Sequence, residues 1–369
     1  MIDKYTLAAL PFSTLDRLGL SRRPATPFAY VVERANWSTR WDGTYVQREI
    51  EKREPGLSRI VDVPANLTNS AVHFFSHHQW QIWCRALAPS NRYAVTFYHG
   101  KREDGDEEAR QVDAFMGSLD RIDIVVTAAS LIEDRLKLWG VPAEKIVRIP
   151  IPINLDVFRP VTAEQRENAR TRYGIPDGHI AIGSFQKDGN GWGDGREAKL
   201  IKGPDVLIET VAAVAKHRPA FVVLTGPARG YVKAGLDRLG IPYSHDFVDD
   251  YEALPDCYAA LDVYLNPSRE EGGPKGVMES MASGIPIVST RVGMAPDLVV
   301  TGRNGFLIEV GDVNSLAAAI LEVAENAALR KSLVVAARED VRCCDVSIVG
   351  AAHHTKVVKP LLAAMGRDR

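Results

Sequence analysis

Twelve short runs of β-branched and aromatic residues alternate with helix-like stretches along the 369 residues, and this alternation constrains the fold most. In the first half FAYVVE (28–33), SRIVDV (58–63), AVHFF (71–75), YAVTFY (93–98), DIVVTA (123–128) and KIVRIP (145–150) read as strands. In the second, HIAIGSF (179–185), PAFVVLTG (219–226), SHDFV (244–248), DVYLNP (262–267), PIVST (286–290) and GFLIEV (305–310) repeat the scheme. Helices fit 203–216, 251–260, 274–283 and 313–327, and SLIEDRLKLWGVP suits a helix stopped at Gly140. Such alternation places helices on both faces of a parallel sheet, so two series in succession imply two doubly wound α/β domains. PIPINLDVFRPVTAEQ (150–165) breaks the pattern with three prolines and is the expected hinge, dividing domains 1–160 and 161–340 from a helical tail 341–369.

Open parallel sheets take ligands beyond the carboxyl ends of their strands, so two facing domains should form one cleft, lined by residues that follow strands. The net charge of −2 lacks the basic excess of a general nucleic-acid binder, so no nucleic-acid partner is expected. Cys84, Cys257, Cys343 and Cys344 have no CxxC spacing, which suits a reducing, cytoplasmic setting. MIDKYTLAALPFSTLDRLGLSRRP contains no continuous apolar signal region, and no run reaches membrane-spanning length. Peripheral contact with the inner membrane face is left open, although no clear amphipathic cationic helix is read to support it. No GxGxxG follows a strand, which excludes an NAD oxidoreductase.

The densest chemistry is in SREEGGPKGVMESMASGIP (268–286). Gly272 and Gly273 let a ligand approach the backbone, and Pro274 suits a helix's first turn, whose free N–H groups favour an anion. Glu279 follows on the second turn, while Val277, Met278, Met281 and Ala282 form a packing side. Its carboxylate could take the paired hydroxyls of a ribose or hexose; a capped surface helix with two solvated glutamates is the plainer alternative.

Glu271 and Glu279 stand in the spacing E-x7-E, and the stretch resembles the signature of retaining glycosyltransferases of family four, which have the two-domain GT-B fold. DIVVTAASLIEDRLKLWGVPAEKIVRIPIPINLDVF is similar to that family's domain end and linker, KLIKGPDVLIETVAAV to its Lys-Gly helix start, and VVLTGP to a strand of its donor half. The resemblance implies two Rossmann-like domains facing across a cleft, acceptor-binding first and donor-binding second, with the tail crossing back to the first.

By that resemblance Glu279 holds the ribose of a nucleotide diphosphate sugar, while Glu271, with backbone N–H groups of Gly272, Gly273 and Lys275 around Pro274, holds the sugar and its phosphate. Lys202 in IKGPD is one cation on the diphosphate. Ser184 stands where the family has arginine, so Lys187, or more distantly Arg229, is the candidate second cation. The glycine-rich loop 189–195 could cover the donor, and Phe247 follows the strand that reads the base. His99 in TFYHG matches a histidine placed near the donor sugar. Glu33, Trp37, Trp41 and Asp42, in a loop after the first strand, are acceptor candidates. His77 and His78 make an awkward metal pair, Asp104-Gly105-Asp106 lies in a solvated charge run, and the resemblance implies no essential metal or other cofactor.

The implied function is a cytoplasmic, metal-independent retaining transfer of a hexosyl group from a nucleotide sugar, with UDP favoured. The acceptor is a hydroxyl of a glycan, a lipid-linked sugar or a small molecule. A GT-B sugar epimerase and a non-catalytic nucleotide- or glycan-binding homologue are the alternatives.

Overall fold

In the computed structural model, described over residues 4–35, 38–191 and 193–366, all twelve strand runs form parallel strands in two six-stranded sheets. The first sheet holds β1 (Phe28–Val31), β2 (Ser58–Val61), β3 (Ala71–Phe74), β4 (Arg92–Thr96), β5 (Ile124–Thr127) and β6 (Ile146–Arg148) in the order β2-β1-β3-β4-β5-β6. The second holds β7 (Ile180–Phe185), β8 (Ala220–Thr225), β9 (Tyr243–Asp246), β10 (Val263–Asn266), β11 (Ile287–Thr290) and β12 (Phe306–Ile308), ordered β12-β11-β10-β7-β8-β9. The central strands FAYV, AVHF, IVVT and VYLN are buried along their whole length, which is why they read as continuous apolar runs rather than alternating ones.

Two compact units result. Unit 1 takes the chain through Pro152 together with the segment from Cys344 onward, and unit 2 runs Ile153–Cys343. Unit 1 has α1 (Lys4–Arg17), α2 (Ser38–Arg53), α3 (His77–Trp83), α4 (Asp106–Met116) and α5 (Ser130–Leu138). Unit 2 has α6 (Ala163–Arg172), α7 (Pro204–Ala215), α8 (Gly230–Leu239), α9 (Pro255–Tyr258), α10 (Lys275–Ser283), α11 (Ala295–Leu298), α12 (Val313–Glu325) and α13 (Ala327–Asp340). The final segment, α14 (Val346–His353), a π turn and α15 (Lys359–Ala364), packs into unit 1. Val349, Val357, Val358 and Leu361 there join Phe28, Tyr30, Val46 and Ile50 in one core. Arg53 donates to the Ser347 carbonyl at 2.8 Å, and His354 pairs with Glu54 at 2.7 Å.

Three expectations change. The loop after β1 is in fact the start of α2, so Trp41 and Asp42 sit on a helix. The helix expected over 251–260 is a 3-10 turn at Tyr251–Ala253 followed by the single turn of α9. The N-terminal stretch, where no amphipathic helix was expected, forms α1, and its large apolar residues face outward.

Among the described residues no helix is long and apolar enough to cross a membrane.

Candidate functional site

In unit 2 the strand order reverses between β7 and β10, and a doubly wound sheet opens for a ligand at such a point, beyond its carboxyl ends. The loop after β10 carries Glu271, and the loop after β7 leads to Lys202. Lys202 donates to both oxygens of Glu271 at 2.7 Å, and the Ser268 hydroxyl donates to one of them at 2.9 Å. The two side chains are 18% and 10% exposed, so this pair is largely removed from solvent and is not a loose surface contact.

The surrounding chain fixes that pair. Arg269 forks onto Asp205 at 2.7 and 2.6 Å, and the Arg269 and Glu270 N–H groups bond the Ile201 carbonyl at 2.8 and 3.1 Å. The Lys202 carbonyl accepts from Gln186 at 2.7 Å. Gly203 lies at φ +65°, and a Cβ there would fall 2.1 Å from the Pro267 carbonyl oxygen. Gly203→Ala should therefore cost at least about 2 kcal/mol, strained backbone and collision together. A drop of roughly 4–8 °C in the melting of unit 2, read by calorimetry, is the expected result; an unchanged midpoint would show that the loops are not locked there.

On the far side, Gly293 after β11 has φ +50°, and a Cβ on it would lie 2.6 Å from the Gly272 carbonyl oxygen. Sequence reasoning did not single out Gly293, Arg269 or Asp205.

α10 begins at Lys275 with Pro274 as its cap residue, one position later than expected, and no side chain caps it. A helix start presents N–H groups and the positive end of its dipole, which suits an anion in the loop of Glu271, Gly272 and Gly273. Every residue from Val277 to Ser283 is buried, Glu279 included. The alternative of solvated glutamates fails, because both carboxylates are inside. Glu279 accepts from the Tyr251 hydroxyl at 2.6 Å and the Tyr258 hydroxyl at 2.7 Å. Burial, reinforced by the Glu279 carboxylate, holds the Tyr258 hydroxyl far above the usual phenol range, so it stays a donor. The Lys275 ammonium lies 4.9 Å from the centre of the Tyr251 ring. Neither tyrosine was anticipated, because nothing in their spacing from Glu279 marks the tertiary contact.

The remaining donor-side candidates are placed differently from one another. Arg229 is turned inward and is 1% exposed; its guanidinium donates to the Ser184 and Thr225 carbonyls at 2.6 and 2.7 Å and lies 2.9 Å from Asp188. The expectation that it reaches a ligand is not met here, since the whole side chain is buried. Burial raises the Asp188 carboxyl against the pull of Arg229. The loop 189–195 is no free cover either. Asn190 N–H bonds the Glu197 carbonyl, and the Asp194 and Gly195 carbonyls accept from the N–H groups of Gly230 and Tyr231 at 2.6 and 2.9 Å, pinning the loop to the start of α8. Lys187 is half-buried just after β7, and Phe247, 55% exposed, follows β9.

Unit 1 gathers a second polar group where its own strand order reverses, between β1 and β3. Burial raises the Glu33 carboxyl, opposed by a hydrogen bond with Ser76, and burial together with Asp42 and Glu33 holds the Tyr98 hydroxyl high. His99 follows Tyr98, half-buried. Trp41 stacks near Tyr45 at 5.7 Å, Asp42 is 2% exposed, and Trp37 lies outside the described residues. Ser76 and Tyr98 were missed. His77 and His78 open α3 instead of ending a strand, and Asp104 and Asp106 are exposed at a helix start.

Comparison with known proteins bears on unit 2 above all. Residues 195–326 match the model of the family Glycosyl transferases group 1, a stretch holding Lys202, Arg229, Glu271 and Glu279. That segment is the one in which the motifs resemble glycosyltransferases. The chain is 30% identical to D-inositol 3-phosphate glycosyltransferase of Corynebacterium diphtheriae over 273 residues, covering 70% of this chain and 61% of the relative. It is 29% identical over 298 residues to the protein of that name from Streptomyces avermitilis, covering 75% and 62%. The chain thus spans about three fifths of the length of the curated relatives it matches. Among solved structures it is similar to Anabaena Alr3699/HepE in complex with UDP-glucose, at TM-score 0.72 and 15% identity over 89% of this chain and 98% of that one. Sucrose-phosphate synthase from Thermosynechococcus elongatus gives 0.65 and 20% over 89% and 79%. These likenesses establish the fold, which is GT-B.

Proposed function

We propose that this chain, with its Glycosyl transferases group 1 segment and GT-B fold, is a retaining glycosyltransferase that uses a nucleotide diphosphate sugar. One arrangement carries the reading: Lys202 held on Glu271 beside the start of α10, at the carboxyl end of β10. As the glycosidic bond breaks, negative charge grows on the diphosphate, and a fixed cation with oriented N–H groups stabilises that charge more than the ground state. Glu271 positions the cation and keeps acceptor capacity for a sugar hydroxyl. Glu279 takes the ribose hydroxyls, as a carboxylate whose orientation the two tyrosine hydroxyls fix.

Retention follows if the acceptor hydroxyl attacks the face the diphosphate leaves, with the departing phosphate oxygen taking the acceptor's proton. No protein nucleophile and no metal enters the scheme. UDP is the favoured nucleotide, supported by the UDP-glucose bound to the Anabaena protein. The acceptor is a hydroxyl of a glycan, a lipid-linked sugar or a small molecule, and the relatives named for inositol 3-phosphate put a polyol phosphate among the first to assay. His99, Glu33, Trp41 and Asp42 are brought in by the resemblance, with cytoplasmic location proposed on the same ground.

Thermal shift across UDP, GDP and ADP, then calorimetric titration beside a transfer assay, tests this. Glu279→Ala should weaken binding of the chosen nucleotide about tenfold or more, the loss of a hydrogen-bonded pair to a charged group. Glu271→Ala should leave that affinity within about threefold and lower turnover about 10²-fold. Unchanged affinity and rate in both variants would remove the site assignment. Nucleotide binding without turnover in the unaltered protein would favour a non-catalytic homologue.

A further inference from the structure

We propose that α1 rests its outer face on an anionic lipid surface. The helix precedes the first strand and touches the rest of unit 1 by a narrow seam. Ala9 and Ser13 are its buried residues, and the Tyr5 ring meets the edge of Trp83 at 5.0 Å. Leu7, Leu10, Phe12, Leu15 and Leu18, with Leu20 just beyond, are between 39% and 66% exposed. On a 3.6-residue period Leu7 and Leu15, with Leu18 one residue past the helix, share the side opposite Ala9 and Ser13, while Leu10 and Phe12 flank the seam, so an apolar stripe points into water. Exposed apolar side chains scattered singly need no explanation; six within residues 7–20, four of them on α1, do.

Charge chooses the occupant. From residue 4 to 27 the ionisable side chains are Lys4, Asp16, Arg17, Arg22 and Arg23. The single acid is turned inward, its carboxylate accepting from the Ser90 N–H at 2.9 Å and the Ser90 and Ser21 hydroxyls at 2.7 and 2.5 Å. Lys4 and Arg17 on α1, with Arg22 and Arg23 in the chain that follows, are exposed, so the charge that accompanies the stripe is cationic, the combination that holds an interfacial helix in a leaflet of acidic headgroups. A second copy of this chain fits the same face poorly, because a two-fold interface brings equal positive charge against itself. The inference does not depend on the transferase reading.

Co-sedimentation of the full chain with vesicles tests it, using phosphatidylcholine alone and with roughly 30% phosphatidylserine. Expected is binding to the acidic vesicles at least about tenfold stronger than to the neutral ones, falling with added salt. Leu15→Glu/Leu18→Glu and Arg22→Glu/Arg23→Glu should each lower the bound fraction about tenfold. Both replace exposed residues, so the melting temperature should hold, and a melting shift with no change in vesicle binding counts against the proposal. No preference for acidic vesicles, or equal binding by the variants, overturns it. So does light scattering that finds a dimer which Leu15→Glu/Leu18→Glu converts to monomer.

Discussion

Lys202→Met should lower transfer about 10³-fold and destabilise unit 2 by roughly 3 kcal/mol, and the two losses should separate when Glu271→Gln is added. The ammonium sits 2.7 Å from both Glu271 oxygens, and removing it leaves a carboxylate that is 10% exposed and that keeps the Ser268 hydroxyl as a donor. An unpaired charge in such surroundings costs more than the pair ever contributed, because desolvation is no longer offset. Replacing the carboxylate by an amide removes that cost, so the double variant should recover most of the stability, read as denaturant midpoint at constant slope. Turnover should not recover, since the charge on the leaving diphosphate would still lack its cation. If the double variant regains turnover with stability, Lys202 matters only through the fold; if the single variant keeps turnover, the cation is elsewhere.

The twelve strands were legible because a parallel sheet covered on both faces needs uninterrupted apolar strands, as in FAYV and IVVT. α2 was not, because STRWDGTYVQREIEKR is polar along most of its length and buries Asp42 and Glu49 beside Tyr45, Val46 and Ile50. The glutamate pair was legible as text, with its partners hidden. Tyr251 and Tyr258 reach Glu279 across 28 and 21 residues, and the clamp from Arg269 to Asp205 spans 64. Contacts of that kind leave no periodic trace. Arg229 misled for a related reason: a guanidinium in a glycine-rich loop looks like an anion ligand until Asp188 and two carbonyls are seen to enclose it. In α1 the pattern of leucines could be counted, but only the packing shows which way they face.

Mild acid should loosen unit 1 well before carboxylates titrate, because its core encloses neutral histidines. His353 on α14 and His73 on β3 face each other with ring centres 5.5 Å apart, and both are buried. Around them are Phe75, 4.4 Å from His73 and 5.7 Å from His353, the Tyr30 ring at 5.8 Å from His73, and the Thr96 hydroxyl at 2.9 Å from His73 Nε2. Burial pushes the His353 imidazole down to about 3, and burial first, then His353, holds His73 well below its usual value. His77, stacked on Phe97 at 4.4 Å, is depressed by burial and then by His78 and His99.

The sign follows from proton counting. Between a free-chain value near 6.5 and the folded value near 3, the unfolded chain binds the proton and the folded chain does not, so stability is complete above about 6.5 and falls as the pH falls. From pH 6.5 to 5 the loss is about 2 kcal/mol for His353, and His73 adds a loss of the same sign. In unit 2 His179, His217 and His245 are not buried, so its stability should hold over that interval. Hydrogen exchange of the full chain, read peptide by peptide at pH 7, 6 and 5 after correction for intrinsic rates, should show unit 1 protection falling while unit 2 stays level. His353→Phe, which suits the aromatic surroundings and cannot titrate, should reduce the fall, leaving the share of His73 and His77. The same slope in that variant, or a parallel fall in unit 2, would place the acid sensitivity in groups other than these histidines.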